Sequence, residues 1–309
     1  MSTTFSKSCI DPIEHWLDRS KKHIAIGAGL NTVFRTKGGT RFLKGVNRFF
    51  RAKRHDERIK ESSQKDEMET YSSVPISPTT GEFDAYDQKV FPYVIRARQR
   101  ELILTELRPR QQTRVLDFAC GGGWLSKVLV DEGYDVVGID ISKSLIDVAR
   151  RVVPKADFVV CDAIALPFAN SSFGTTISMG ALHHIALDRA VSEIRRVLEE
   201  SGILLAMEPN LLNPLSALGR KTFPMETHTR DEKPLTSALL RISLGRRGFA
   251  IKHERFLFFF SFPIARAMRL LGTPVKSNFQ LRFLSTTERV LERIPFLNRL
   301  NSTVYVVAE

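Results

Sequence analysis

The sequence has few cysteines and no long apolar segment, and both absences exclude classes of protein. Its three cysteines, Cys9, Cys120 and Cys161, are widely spaced and match no disulfide framework or metal-ligand pattern. We therefore expect a reducing, cytosolic compartment and no metal site. No uncharged apolar run reaches the roughly 18 residues that a membrane-spanning helix needs. The N terminus lacks the apolar core of a secretory signal.

The positive charge of the chain is unevenly distributed. The net charge is +12 over 309 residues. Residues 1–70 hold 15 Lys and Arg against 9 Asp and Glu, residues 71–210 hold 15 against 18, and residues 211–309 hold 16 against 7. The two flanks are basic and the middle is mildly acidic. We expect the flanks to meet any anionic partner, either nucleic acid or an anionic membrane surface.

Composition divides the chain near residue 82. Residues 59–82 are polar and rich in Ser, Thr and Pro, which predicts a linker. The division gives a basic N-terminal extension and linker over 1–82 and a compact domain over 83–309. Within the extension, apolar residues follow one face of a predicted basic helix. They are Phe42, Leu43, Val46, Phe49 and Phe50. Such a helix either lies in a membrane interface or packs on the core.

From residue 114 onward, short apolar runs alternate with amphipathic segments. Strands are predicted over 114–120, 134–140, 156–163, 173–181 and 202–210, and helices over 123–133, 142–153 and 187–200. Two more strands, over 249–260 and 302–309, are expected to pair antiparallel. The pattern predicts an α/β, doubly wound, mostly parallel seven-stranded Rossmann-like sheet. A helical insertion over 261–301 precedes the antiparallel last strand, either as a packing subdomain or as a lid for an apolar acceptor.

The first predicted strand runs into three glycines in "VLDFACGGGWLS". A dinucleotide fingerprint needs a third spaced glycine where Ser126 stands. Asp117 would also face the pyrophosphate, at a cost of about 4 kcal/mol for like charges 4 Å apart at an effective dielectric near 20. The acid instead predicts a cationic ligand without phosphates, such as S-adenosylmethionine. Asp140 and Asp162 end the next two strands, where they can bind the ribose and the adenine amino group, or alternatively cap helices.

Together these motifs resemble the class I S-adenosylmethionine-dependent methyltransferases, in particular the small-molecule branch that includes quinone-biosynthesis C-methyltransferases. The matching segments are "VLDFACGGG", "VVGIDIS", "DFVVCDAIALPFANSSFGTTISMGALHHI" and "IRRVLEESGILLAMEPN". The resemblance spans residues 85–210. It implies Asp117, Ala119, Gly121 and Gly123 around the methionine end of the cofactor, Asp140 and Ile141 at the ribose, Asp162 and Ala163 at the adenine, and Gly180 as a further cofactor-binding residue.

The candidates for catalysis are His183 and His184, which follow the fourth strand in "GALHHI". Methyl transfer is an in-line displacement, so alignment can supply much of the acceleration. A general base is required only where the acceptor must lose a proton. The two histidines are therefore candidate bases or positioning residues. Glu208, at the end of the fifth strand, is predicted to be a positioning residue.

The predicted function is methyl transfer to oxygen or carbon of a small, hydrophobic acceptor. Base-modifying enzymes of this fold carry an Asn/Asp-Pro-Pro-aromatic motif after the fourth strand. That slot reads "SMGALHHI" here, which disfavours nucleic acid as a partner. Two alternatives stay open at this point. The chain could methylate RNA or another macromolecule through its basic flanks, or it could bind the cofactor without catalysis.

Overall fold

A computed structural model describes residues 90–222, 235–271 and 277–309. The predicted N-terminal extension and linker, with the apolar stripe from Phe42 to Phe50, lie outside these described residues and stay a prediction. No helix in the described ranges is both long enough and apolar enough to cross a membrane.

Seven strands in the described ranges form a single sheet, in the spatial order β3-β2-β1-β4-β5-β7-β6. The strands are β1 (Arg114–Phe118), β2 (Asp135–Asp140), β3 (Asp157–Val160), β4 (Phe173–Met179), β5 (Leu198–Pro209), β6 (Ile251–Leu257) and β7 (Thr303–Ala308). The first five pair in parallel, whereas β7 lies antiparallel between β5 and β6. The predicted mostly parallel sheet with an antiparallel last strand is confirmed.

Helices cover both faces of this sheet. They are α1 (Ala97–Leu107), α2 (Trp124–Asp131), α3 (Lys143–Val152), α4 (Leu187–Val197), α5 (Pro214–Thr222), α6 (Ser237–Arg246), α7 (Ser261–Leu271) and α8 (Asn278–Leu291). A π-helical segment, Phe91–Arg96, leads into α1. Because neighbouring strand residues point to opposite faces, Val115 joins one apolar core and Leu116 the other. Both faces are therefore buried, as the continuous apolar runs predicted.

The helix predicted over 187–200 extends too far at its C-terminal end. It stops at Val197, and Leu198 already belongs to β5, where it pairs with Phe173 of β4. Leu198 is buried in the core on that side of the sheet. Pairing with β4 and burial of Leu198 outweigh the local helical pattern, which carries no information about the neighbouring strand.

The insertion before β7 consists of α7 and α8, and a buried carboxylate joins them. Glu288 of α8 accepts hydrogen bonds from the backbone N–H groups of Phe259, Phe260 and Ser261, at 2.7, 2.9 and 2.5 Å, and from the Ser261 hydroxyl. These donors lie at the start of α7, where backbone N–H groups have no partner within the helix. Glu292 attaches the insertion to α1 as well, because its Oε2 lies 2.7 Å from Nη2 of Arg98 in an ion pair.

We expect Glu288→Ala to lower the free energy of unfolding by about 2 to 3 kcal/mol, because it leaves several buried donors without an acceptor. Chemical denaturation measures the change. Glu200→Ala, which removes an exposed carboxylate, is the control and should have little effect. Equal stability of the two variants would show that water replaces the Glu288 carboxylate without cost.

Candidate functional site

One cavity lies at the carboxyl ends of the parallel strands. Its position is the point where the strand order reverses, with β1 between β2 and β4, which is the usual ligand site of such sheets. Seven of the nine residues predicted to bind the cofactor line it, namely Ala119, Gly121, Asp140, Ile141, Asp162, Ala163 and Gly180. His184 lines it as well. Asp117, Gly123 and His183 lie outside its lining.

The glycine loop places its residues in conformations that favour glycine. Gly121 and Gly123 have φ values of 54° and 87°. A Cβ atom on Gly123 would lie 3.0 Å from the Cβ of Ala149 in α3. Gly123 therefore allows the loop to pack closely on α3, and Gly121 is the loop glycine that faces the cavity. Ala119 also has a positive φ, at 56°.

Asp140 connects the glycine loop to the loop that follows β2. Its carboxylate accepts hydrogen bonds from the backbone N–H of Gly121 at 3.0 Å and of Ser142 at 2.9 Å. Burial raises the pKa of this carboxyl group, and the backbone donors oppose the rise. Ser142 caps α3 by accepting from the N–H of Leu145. The alternative of Asp140 as the helix cap is therefore wrong, and its carboxylate contributes to the cavity wall.

Asp162 follows β3 and forms a short turn, because its Oδ1 accepts from the N–H of Ile164 at 3.0 Å. Beside it, the Cys161 thiol also lines the cavity. Burial raises the pKa of Cys161 to about 11, so the thiol stays protonated and is a poor nucleophile. The apolar residues of the lining were not predicted, although each is within a few positions of a predicted residue. These residues are Ile139, Leu145, Met179, Ala181 and Ile185.

Asp117 lies beneath the loop, where it is 3% exposed. Its carboxylate accepts a hydrogen bond of 2.6 Å from the Ser126 hydroxyl. Burial raises the pKa of Asp117 to about 7, and the charge of Asp140 adds to the rise, while Ser126 and Arg96 oppose it. The predicted strand-end acid is therefore a buried group that changes charge near neutral pH. Ser126, the residue in the third fingerprint slot, was not predicted to be its partner.

Arg96 joins the π-helical segment before α1 to the end of the glycine loop by contacting Trp124. Its guanidinium lies 4.0 Å from the ring centroid of Trp124, the first residue of α2, and 4.7 Å from that of Phe91. This geometry is typical of cation–π stacking. Arg96 was not predicted to contact the glycine loop, since nothing in the local pattern distinguishes it from the neighbouring Arg98 and Arg100.

The two histidines follow β4, and a buried acid holds the first of them. His183 Nδ1 lies 2.8 Å from Glu208 Oε2, and the two rings of His183 and His184 are 3.9 Å apart. Glu208 is fully buried. Its other oxygen accepts from the backbone N–H of Ala181 and Leu182, at 3.2 and 3.0 Å. Glu208 thus orients both the His183 ring and the loop that carries it.

Comparison with known proteins agrees with this geometry. Residues 116–206 match a family described as methyltransferase domain. A demethylmenaquinone methyltransferase of Renibacterium salmoninarum is 38% identical over 112 residues, which is 36% of this chain and 47% of that protein. A malonyl-[acyl-carrier protein] O-methyltransferase of Enterobacter lignolyticus is 32% identical over 111 residues, 36% of this chain and 44% of that protein. The chain therefore spans about half the length of these relatives.

Among solved structures, the geranyl diphosphate C-methyltransferase of Streptomyces coelicolor, in complex with Mg²⁺, geranyl diphosphate and S-adenosyl-L-homocysteine, has a TM-score of 0.54. The match covers 80% of this chain and 96% of that one, at 14% identity. At this identity the likeness establishes the fold alone.

Proposed function

We propose that this chain, whose residues 116–206 match a methyltransferase domain family, is a class I S-adenosylmethionine-dependent methyltransferase that transfers a methyl group to oxygen or carbon of a small, hydrophobic acceptor. One observation carries the proposal. Asp140, Asp162 and the glycine loop, which lie on three different strand ends, border one cavity at the switch point of the sheet.

The chemistry of the cavity lining fits this cofactor. Two carboxylates and no Lys or Arg occur among the described residues that line it. A phosphate-bearing nucleotide would find no compensating cation there, whereas ribose hydroxyls and an adenine amino group find acceptors. We assign Asp140 and Ile141 to the ribose, Asp162 and Ala163 to the adenine, and Ala119, Gly121 and Gly180 to the methionine end. Asp117, buried beneath the loop, and Gly123, which packs the loop on α3, support this end without lining the cavity.

When bound, the cofactor supplies a methyl group already activated on a sulfonium, so the protein needs mainly to align the acceptor and exclude water. The residues after β4 are suited to hold a proton. With Nδ1–H donating to Glu208, His183 keeps a basic Nε2, which is the arrangement of an oriented general base. We propose His183 as the base, Glu208 as its positioning residue, and His184 as a cavity-lining residue beside the acceptor.

The hydrophobic character of the acceptor is inferred from the site and from its relatives. Met179, Ala181 and Ile185 give the cavity wall near the histidines an apolar surface. Of the two relatives, the demethylmenaquinone methyltransferase is named for an apolar quinone acceptor, whereas the other is named for a malonyl group on a carrier protein. The alternatives of an RNA substrate and of binding without catalysis are not favoured, because the segment after β4 lacks the base-gripping motif and the relatives are named as methyltransferases.

Incubation with isotopically labelled S-adenosylmethionine and a lipid extract, followed by mass spectrometry, tests the proposed activity. We expect a labelled, lipid-soluble product. Calorimetry should also show binding of S-adenosylhomocysteine and none of NAD. Binding without any labelled product in lipid, quinone or phenol extracts would favour a non-catalytic role. Label recovered in RNA would favour the macromolecular alternative.

We expect Asp140→Ala to weaken S-adenosylhomocysteine binding by about 1.5 to 3 kcal/mol, because it removes charge-assisted hydrogen bonds to the ribose. Asp135→Ala, at the exposed opposite end of β2, is the matched control and should bind normally. Because Asp140 also holds the Gly121 and Ser142 N–H groups, the thermal midpoint of each variant is measured alongside. Unchanged affinity in Asp140→Ala would remove the ribose assignment.

A further inference from the structure

Helix α8 has apolar side chains on two opposite faces. Leu281, Leu284 and the buried Glu288 face inward, toward the core and the start of α7. Phe279, Phe283 and Val290 follow each other at intervals of four and seven residues, which places them on the opposite side of the helix. They are 76%, 65% and 54% exposed. These three residues, with Phe296 just beyond the helix at 87% exposure, are the outer face of the insertion.

The outer face is not accounted for by packing within the described part of the chain. The inward face already supplies the apolar contacts and the Glu288 hydrogen bonds that hold α8. Exposed aromatic side chains grouped along one face are unusual on a protein surface that has no partner. Their grouping therefore indicates a surface that binds something apolar.

The exposed charged side chains of the segment that carries the outer face are all arginines, one of which, Arg289, is paired with Glu101 of α1. Residues 277–301 contain four Arg and two Glu. Both acids are turned inward, since Glu288 is 2% exposed and Glu292 is paired with Arg98. By contrast, Arg282, Arg293 and Arg299 are exposed. The face therefore presents aromatic side chains and guanidinium groups and, within this segment, no exposed carboxylate.

We propose that the outer face of the insertion, Phe279, Phe283, Val290 and Phe296 with the flanking Arg282 and Arg293, docks on an anionic lipid surface. Aromatic side chains enter the boundary between headgroups and acyl chains, and each Arg near an anionic leaflet strengthens binding about fivefold. Charge disfavours the N-terminal extension and a second copy of the chain as alternative occupants of the outer face. Residues 1–70 carry 15 Lys and Arg against 9 Asp and Glu, and a second copy would bring the same Arg residues against each other. The proposal does not depend on the methyltransferase activity.

Sedimentation of the full chain with vesicles tests the proposal, using equal parts phosphatidylglycerol and phosphatidylcholine, or phosphatidylcholine alone. We expect binding to the anionic vesicles and at least about tenfold weaker binding to the neutral ones. Phe283→Glu should weaken anionic binding about tenfold or more, whereas Ile242→Glu, an exposed apolar residue of α6, should not. The double variant Arg282→Glu and Arg293→Glu should weaken binding to anionic vesicles by a similar factor. The double variant Arg246→Glu and Arg247→Glu, which changes two exposed arginines at the end of α6, is its control and should bind normally.

The remaining outcomes decide against the proposal. Wild-type partitioning of Phe283→Glu would show that another segment, such as the N-terminal extension, makes the contact. A light-scattering mass that falls from dimer to monomer in Phe283→Glu, without vesicle binding by the wild type, would assign the face to a second copy. S-adenosylhomocysteine affinity is measured in every variant. Retained affinity separates loss of the lipid contact from misfolding and from failure of the proposed function.

Discussion

Replacement of His183 by alanine is expected to lower turnover by about 10² to 10⁴-fold, the usual loss when a general base is removed. Cofactor affinity should be retained, because His183 does not line the cavity that holds the assigned cofactor residues. Its ring is close to that cavity all the same. A Cβ atom on Gly180, which lines the cavity, would lie 4.0 Å from His183 Cε1. Single-turnover assays with the acceptor identified by mass spectrometry measure the effect.

The partner of His183 provides a second variant that separates a base from a structural residue. Glu208→Gln keeps an oxygen for the N–H groups of Ala181 and Leu182 but no longer favours the tautomer with Nδ1–H and a basic Nε2. We therefore expect a large loss of turnover and a changed dependence of rate on pH, with the fold retained. His253→Ala, an exposed histidine of β6, is the control.

Two results would contradict this assignment. A loss below about tenfold in both His183→Ala and Glu208→Gln would leave alignment as the source of catalysis. A large loss in His184→Ala with little change in His183→Ala would move the base to the neighbouring ring, which itself lines the cavity.

Replacement of Asp117 by asparagine is expected to stabilise the cofactor-free protein at pH 8 by about 2 to 4 kcal/mol. The carboxyl group has a pKa of about 7 in the folded protein, against 3.8 as its ordinary value. Above pH 7 the folded state therefore holds a buried charge that the unfolded state solvates freely. Each pKa unit of difference corresponds to about 1.4 kcal/mol. An asparagine can still accept from Ser126 without that charge.

The two pKa values of Asp117 also determine whether the free energy of unfolding rises or falls with pH. Between pH 3.8 and about 7 the folded state binds more protons at Asp117 than the unfolded state does. The contribution of Asp117 to the free energy of unfolding therefore falls as pH rises through this range and is constant above it. Denaturation between pH 5 and 8 should show this loss in the wild type and much less of it in Asp117→Asn. Asp157→Asn, with an exposed carboxyl group, should follow the wild type.

The affinity for the cofactor should depend on pH in the opposite direction to the free energy of unfolding. If the ionised carboxylate favours the ammonium group of the cofactor, affinity rises with pH until about pH 7 and is weaker in Asp117→Asn. A variant that is more stable but binds the cofactor more weakly would show that the Asp117 carboxylate lowers the stability of the protein and strengthens ligand binding. Equal stability of wild type and variant at pH 8 would show that the pKa of Asp117 is not raised in the folded protein.

The part of the cavity lining that lies at the ends of the first three strands was largely predictable because its signals are local. The strand, the glycines after it and the acids at the next two strand ends occupy fixed positions along the chain. Parallel strands bring their carboxyl ends to one edge by topology alone. Ala119, Gly121, Asp140, Asp162 and their neighbours could therefore be placed at one edge of the sheet from the sequence alone. For the same reason, the mostly parallel sheet could be predicted from the alternation of apolar runs and helices.

The contacts that tune the site depend on residues far apart in sequence. Ser126 on Asp117, Glu208 on His183, Arg96 on Trp124 and Glu288 at the start of α7 each join separate elements. No periodicity encodes such pairs, because any exposed or buried partner of the right chemistry would give the same local pattern. The pKa of Asp117 likewise follows from burial, which is a property of the packed molecule.

The sequence by itself determined the mostly parallel sheet and the acids and glycines at its strand ends, because periodicity and chain direction specify these. Only the tertiary structure decided which side of α8 is covered, since Leu281 and Phe283 are equally apolar and their helix could present either one to the core. The choice depends on which face meets α7 and α1, where Glu288 and Glu292 find their donors. Packing therefore leaves Phe279 and Phe283 exposed, a result that follows from how whole elements fit together.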